Sequence, residues 1–212
     1  MKSNIFTLIN SLIFMAGMAA VFSIQSCSSK AQEAQRAEAS LLQKFYHLNS
    51  DTGLLGLAKQ ETNDGYFCTP VGAEVFARLG VDGIHFCFIP SLQPDRSLEQ
   101  GMVYAVNPMA PDQYVKPVAN NLKEFLEMVI ACGDAGVLEQ AGAMDRKKYD
   151  LFMEEVEASA EMKEVIDEMT TELELKPEDN LFDIIHSIQE KFDYNLIPFS
   201  EEYYETTGIE RE

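Results

Sequence analysis

Basic residues are scarce in this sequence of 212 residues. Lysine and arginine together number 16, against 35 aspartates and glutamates, so the net charge at pH 7 is −19. Such a surface repels nucleic-acid phosphates and anionic lipid headgroups. The composition argues against nucleic-acid binding through a basic face. It favours a basic protein partner, divalent cations, or no role beyond solubility.

Catalytic and metal-binding signatures are also missing. The sequence has no CxxC, HExxH, P-loop, GxGxxG or GxSxG pattern, and no acidic loop of the kind that binds calcium. Its three histidines lie far apart along the chain. We therefore expect no cofactor, no metal site and no catalytic residue, and we expect that the protein is not an enzyme.

Two reactive side chains, those of His85 and Cys87, lie close together in the sequence. His85 and Cys87 are two residues apart in an apolar, β-prone run, so on a strand both face the same side. They suit half of a metal site or a thiol–imidazole pair of a hydrolase. The alternative, which we favour, is a buried face of a central strand with His85 bonded to the backbone.

A long apolar run lies near the start of the sequence. It covers residues 5–24, follows Lys2, and leads to Ser26 and Cys27. This arrangement resembles the lipobox of bacterial lipoproteins, whose cysteine carries two acyl chains and becomes the new N-terminus. The resemblance implies a signal peptide over 1–27, lipidation of Cys27 and stable anchoring in the cell envelope. An uncleaved N-terminal helix is the alternative.

Three cysteines remain if Cys27 carries lipid. They are Cys68, Cys87 and Cys132, an odd number that excludes a complete disulfide framework. A single Cys68–Cys87 bridge is compatible with an oxidising compartment. Each of the three lies in an apolar run, so we favour buried free thiols over a bridge.

Composition and pattern divide the rest of the chain into three parts. Residues 28–49 are predicted to be a tether that ends in a docking helix, and residues 50–144 an α+β core. Residues 145–212 are predicted to be an acidic helical extension packed on that core. The extension holds 21 acidic and 7 basic residues, a net charge of −14, and so carries most of the negative charge.

The core pattern predicts a small antiparallel sheet packed by helices. Thr69 and Pro70 are residue types that begin helices, so a short helix is expected from there to Leu79. Two β-prone runs at 84–89 and 102–106 are expected to pair as antiparallel strands. The connection between them is too short for a helical crossover.

Helical periodicity dominates from residue 121 onward. A helix capped by Asn121 and stopped by Gly133 is expected to cover the two strands. Three further apolar stripes with helical spacing predict an acidic helical C-terminal region. They comprise Tyr149, Phe152, Met153 and Val156; Met162, Val165, Ile166, Met169 and Leu173; and Leu181, Phe182, Ile185, Ile188 and Phe192. The predicted fold class is therefore α+β.

A series of short segments stands out at 83–88, 102–109, 114–121, 125–126, 131–133, 138–141, 192–194 and 203–204. As a series they resemble an uncharacterised bacterial family and, more distantly, the SUKH superfamily, many of whose members are immunity proteins that neutralise toxins. The feature shared with SUKH proteins is two short strands that lead into Val118-Ala119-Asn120 and Phe125-Leu126. The resemblance implies an α+β fold and a protein-binding role.

Tyrosines and glutamates near the end of the sequence are the best candidates for partner contact. Tyr194, Tyr203 and Tyr204, with Glu201 and Glu202, would suit a basic, partly apolar surface. The alternative is that these rings pack in the core or hold the tail. The leading hypothesis is a membrane-anchored binding module, with an immunity protein as one form of it. An accessory envelope lipoprotein and a cytoplasmic immunity protein are alternatives, and a hydrolase ranks last.

Overall fold

Short runs of β-branched and aromatic residues form one antiparallel sheet in the computed structural model, which describes residues 39–60 and 64–211. Its five strands are adjacent in the sheet in the order in which they occur along the chain. They are β1 (Ala58–Lys59), β2 (Glu74–Arg78), β3 (His85–Phe88), β4 (Val103–Val106) and β5 (Val115–Ala119). Every neighbouring pair is antiparallel.

Seven α-helices occur in the described part of the chain. They are α1 (Leu41–Tyr46), α2 (Leu122–Cys132), α3 (Ala135–Ala141), α4 (Arg146–Glu154), α5 (Ala160–Glu172), α6 (Leu181–Lys191) and α7 (Glu201–Thr207). Together with the sheet they confirm the α+β class, and Leu41–Glu212 form one unit by their internal contacts.

One face of the sheet packs against helices. The ring of Phe125 on α2 lies 4.9 Å from that of Phe86 on β3, and 5.7 Å from that of Phe76 on β2. Helix α2 begins where the Asn121 side chain accepts a hydrogen bond from the Glu124 N–H, and it ends at Gly133 in the left-handed region. The helix-on-hairpin packing predicted from the sequence is therefore confirmed.

The acidic helices share this core. Val165 and Met169 of α5, and Leu181 and Ile185 of α6, belong to the same buried cluster as Phe125. Helix α6 also covers the edge strand, because the Gln189 amide donates to the Pro117 carbonyl at 3.2 Å. In this way the edge of the sheet is closed by a helix.

Two irregular segments cover the opposite face. Cys68 and Ala73, from the loop before β2, join Ile197 and Tyr203, from the C-terminal part, in a second buried cluster. The Val71 N–H donates to the Pro198 carbonyl at 2.7 Å and ties the two segments together. This second face carries the candidate site described below.

Several sequence predictions are confirmed and one is wrong. The antiparallel pairing of the 84–89 and 102–106 runs holds, with Phe86 opposite Ala105. All but the last residue of each of the three later helical stripes lie on α4, α5 and α6. The predicted helix from Thr69 to Leu79 does not form, and β2 occupies its second half. The Thr69 hydroxyl accepts from the Tyr66 N–H and contacts His85 instead of capping a helix.

The predicted signal peptide over 1–27, the lipidation site Cys27 and most of the tether lie outside the described residues. Within the range predicted for the tether and docking helix, Leu41–Tyr46 form α1, and its Phe45 is fully buried. Within the described ranges, none of the helices combines the length and apolarity needed to cross a bilayer.

Candidate partner-binding cleft

The chain after α6 forms a series of caps and turns that lie over the second face of the sheet. Asp193 accepts a hydrogen bond from the Asn195 N–H and begins a short 3-10 helix at Tyr194–Leu196. Ile197 is buried next, and Ser200 caps α7 by accepting from the Tyr203 N–H. This path places one side of α7 against the start of β5.

A cleft of about 520 Å³ lies between α7 and the start of β5. We call it the aromatic cleft. It is lined by Asp112, Gln113, Tyr114, Val115, Tyr194, Asn195, Ile197, Phe199, Tyr203, Tyr204, Ile209 and Glu210. Its volume lies within the range of clefts that hold a small ligand or a few side chains of a partner.

Contacts between rings give the aromatic cleft its shape. Tyr203 stacks on Phe199 with the ring centroids 3.8 Å apart and the planes 9° apart. Tyr114 and Tyr204 meet the same ring edge-on, at 5.9 Å and 5.3 Å. Edge-on and stacked contacts are favourable arrangements of ring quadrupoles, so the cluster holds a defined geometry.

Two phenol groups of the aromatic cleft, those of Tyr203 and Tyr194, have a raised pKa. Burial raises the pKa of Tyr203, and the neighbouring Tyr114 and Tyr204 raise it further. Burial also raises the pKa of Tyr194. Within the described ranges, the hydroxyls of Tyr114, Tyr203 and Tyr204 form no hydrogen bond to a protein atom. These hydroxyls are therefore available to donate a hydrogen bond to a bound partner or to accept one from it.

Carboxylates surround the aromatic cleft. Asp112 and Glu210 line it, and Glu201 and Glu205 are exposed on α7, one helical turn from Tyr204 or adjacent to it. Ring faces beside carboxylates form a surface that attracts cations. The only basic group that an ion pair or ring contact places there, among the described residues, is Arg211.

The structure brings together most of the residues that the sequence singled out. Tyr194, Tyr203 and Tyr204 all line the aromatic cleft, although Tyr203 is only 7% exposed and also packs in the core. Glu201 contacts Arg211 beside it, whereas Glu202 is exposed and is not among the lining residues. The sequence reasoning missed the contribution of Tyr114, which reaches the site through the unpredicted strand β5.

A larger cleft of about 760 Å³ lies between α6 and the loop after β3. Several of its polar groups are already bonded to one another or to neighbours. Asp183 pairs with Arg146 at 3.4 Å, and the Lys191 ammonium donates to Ser187 at 2.8 Å. Because these groups have partners, the larger cleft is a weaker candidate for recognition than the aromatic cleft.

His85 and Cys87 are part of the packed sheet. His85 is fully buried and its two ring nitrogens lie 2.8 Å from the Gly83 carbonyl oxygen and 3.0 Å from the Thr69 hydroxyl. Burial lowers its pKa, and burial raises the pKa of the Cys87 thiol far above its usual range. A neutral, buried thiol is a poor nucleophile, so this geometry favours packing over hydrolysis.

No group of three or more histidine, cysteine, aspartate or glutamate side chains in the described ranges could hold a metal ion. Comparison of the chain with family models, curated proteins and solved structures finds no match.

Proposed function

We propose that this protein is a membrane-anchored binding module that recognises a basic protein partner through the aromatic cleft. The observation that carries the proposal is the combination of three unbonded phenols, stacked ring faces and surrounding carboxylates in one place. Tyrosines are frequent anchors in protein interfaces because they bury a large area with few rotatable bonds. Carboxylates around them add electrostatic attraction to a cation-bearing surface.

The charge distribution supports a basic partner. The part of the chain from residue 145 carries a net charge of −14, and the aromatic cleft is built largely from that part. Such a field increases the rate of association with a positively charged protein. The sequence resemblance to immunity proteins supports an immunity-type role, in which the module covers the basic surface of a toxin and blocks the toxin sterically.

Anchoring through Cys27 is the second element of the proposal. Two acyl chains hold a protein stably on a bilayer, and the lipobox-like segment before Cys27 would supply them. Membrane fractionation with intact mass measurement, on the native protein and on Cys27→Ala, tests this element. We expect a membrane-bound species whose mass includes acyl chains, and loss of both properties in the variant. A soluble, unprocessed native protein would instead favour the cytoplasmic alternative.

Site-specific photo-crosslinking tests the binding role. A photoreactive amino acid at Tyr204 is compared in living cells with the same amino acid at Leu151, which is 54% exposed on α4 and lies outside the aromatic cleft. We expect a discrete crosslinked protein from position 204 that is absent from position 151. The same crosslinked proteins at both positions, or no crosslinked protein at either, would exclude binding through this cleft.

A deletion strain separates the immunity role from the accessory alternative. Increased sensitivity to toxin-producing neighbouring cells, restored by the native gene and not by a Tyr204→Ala variant, is expected of an immunity protein. A change in envelope integrity without a change in that sensitivity would favour an accessory lipoprotein.

A further inference from the structure

An arginine of the chain itself occupies the edge of the aromatic cleft. The guanidinium carbon of Arg211 lies 5.4 Å from the centroid of the Tyr204 ring. Its Nη1 atom donates to Glu201 Oε2 at 3.2 Å. A ring face and a carboxylate are two of the contacts that a guanidinium prefers. An arginine of the chain therefore contacts the Tyr204 ring at the edge of the cleft.

Gly208 turns the chain so that Arg211 reaches this position. It adopts a φ of +70° after the end of α7, and its N–H donates to the Tyr204 carbonyl at 2.9 Å. A glycine in this left-handed conformation commonly reverses the chain at the end of a helix. Ile209 and Glu210 then line the aromatic cleft. The occupant is an aliphatic residue followed two positions later by an arginine.

These contacts are exposed to solvent and are correspondingly weak. The Arg211 and Glu201 side chains are 66% and 73% exposed. Ile209 is 49% exposed although it lines the cleft. Exposed ion pairs contribute little stability because water and salt screen them. An arginine from another molecule can therefore displace Arg211 without a large energetic cost.

We infer that the aromatic cleft recognises an exposed arginine of the protein partner, preceded two residues earlier by an aliphatic side chain, and that residues 208–211 occupy the same position in the free protein. The inference rests on the proposed function and specifies the chemistry of the partner. Arginine fits better than lysine because its planar guanidinium stacks on rings and donates through several N–H groups. The segment 208–211 is then a weak internal competitor.

A tryptophan-labelled peptide tests the inference with high selectivity, because the chain contains no tryptophan. The probe is acetyl-Trp-Gly-Ile-Gly-Arg-amide, and its fluorescence anisotropy is followed as the full-length protein, in mild detergent, is added. The matched control peptide carries citrulline, which keeps the shape of arginine and lacks its charge. We expect the arginine peptide to bind about tenfold more tightly than the citrulline peptide, because neutral citrulline cannot form the charged contact.

Three variants locate the binding and test the competition. Releasing the internal competitor with Ile209→Ser and Arg211→Gln should tighten binding of the peptide about two- to fivefold, the range expected for removal of a weak exposed contact. Adding Tyr204→Leu to that variant, which keeps apolar packing, should weaken binding about tenfold. Glu154→Gln on α4 removes one negative charge far along the chain and should leave binding unchanged.

Two results would overturn the inference. One is equal affinity for the arginine and citrulline peptides, and the other is weaker binding by the Ile209→Ser/Arg211→Gln variant while its circular dichroism matches that of the native protein. If the crosslinking at position 204 still captures a discrete protein, the proposed binding function stands and only the arginine inference fails. If crosslinking fails as well, both are rejected.

Discussion

Lys116 and Glu139 form an ion pair inside the domain, with Lys116 Nζ 3.4 Å from Glu139 Oε1 and side-chain exposures of 11% and 6%. Asn107 donates to the same oxygen at 2.9 Å. The three residues connect β5, α3 and the end of β4. The geometry matters for stability because removing one member leaves a buried charge without its counter-charge.

Lys116→Met should lower the free energy of unfolding by about 3 kcal/mol, because Glu139 loses its buried cation. A second substitution, Glu139→Leu, should restore much of this loss since no unpaired charge remains. Urea unfolding followed by circular dichroism measures both. Lys123→Met is the control: that lysine is 57% exposed and pairs with Glu127 at 3.7 Å, so its loss should cost under about 1 kcal/mol. Equal costs for the two single variants would contradict the prediction.

Glu168 should make stability depend on pH. The Ser50 side chain, and then the N–H groups of Asn49 and Ser50, lower its pKa to about 2. A carboxyl group whose pKa is lower in the folded than in the unfolded state stabilises the fold fully above its ordinary pKa of 4.5. That contribution is lost progressively as the pH falls from there towards 2.

Glu168→Ala should therefore destabilise the protein by about 1 kcal/mol near neutral pH, the typical net contribution of such hydrogen bonds. The difference from the native protein should shrink as the pH falls below about 4. Urea titrations at several pH values measure this trend. Glu164→Ala removes an exposed carboxylate from the same helix and should show a smaller and flatter difference. A Glu168→Ala effect that stays constant down to about pH 3 would exclude the mechanism.

The three described cysteines should resist alkylation in the folded protein. Cys68, Cys87 and Cys132 are buried and free. Burial raises the pKa of Cys68 to about 11 and that of Cys132 to about 12. The reactive thiolate is therefore scarce at neutral pH, and we expect labelling by iodoacetamide at least about 100-fold slower than in denaturant. Peptide mapping by mass spectrometry assigns each site, and a linked Cys68–Cys87 peptide would instead support the disulfide alternative.

The helices were predictable from the sequence because their packing is periodic. The α2, α5 and α6 stripes place buried residues such as Phe125, Val165 and Ile185 on one side of each helix. Strand β5 was not predicted, because Pro117 cannot donate in a ladder. Pro117 is tolerated in this edge strand because its carbonyl points outward to Gln189. The position of its missing N–H therefore also faces away from β4.

The site was only partly predictable for a different reason. Tyr203 and Tyr204 stand out in the sequence beside several glutamates, but Tyr114 meets Tyr203 only after the sheet has formed. The wrong helix at Thr69 has a similar cause, since the capping hydroxyl is taken by Tyr66 and by His85, 16 residues away. Contacts between distant segments decide both cases, and local patterns do not contain them.

Gly56 occupies a position where a side chain has no room. It adopts a φ of +69°, and an added Cβ would collide with Leu79 and lie 3.0 Å from Asp134 Oδ1. Gly72 has a similar φ of +72° but nothing within 4 Å of an added Cβ. The two glycines therefore separate the backbone cost of a left-handed alanine from the cost of a steric clash.

Gly72→Ala should lower the free energy of unfolding by about 1 kcal/mol, the cost of a left-handed alanine. Gly56→Ala should cost about 1–3 kcal/mol more, because Leu79 and Asp134 must move to accept the methyl group. The reduced entropy of the unfolded chain affects both variants alike and cancels in the comparison. Thermal and urea unfolding of the two variants measure the difference. Since Asp134 also caps α3 by accepting from the Gly136 N–H, equal stabilities would show that this cap adjusts without cost.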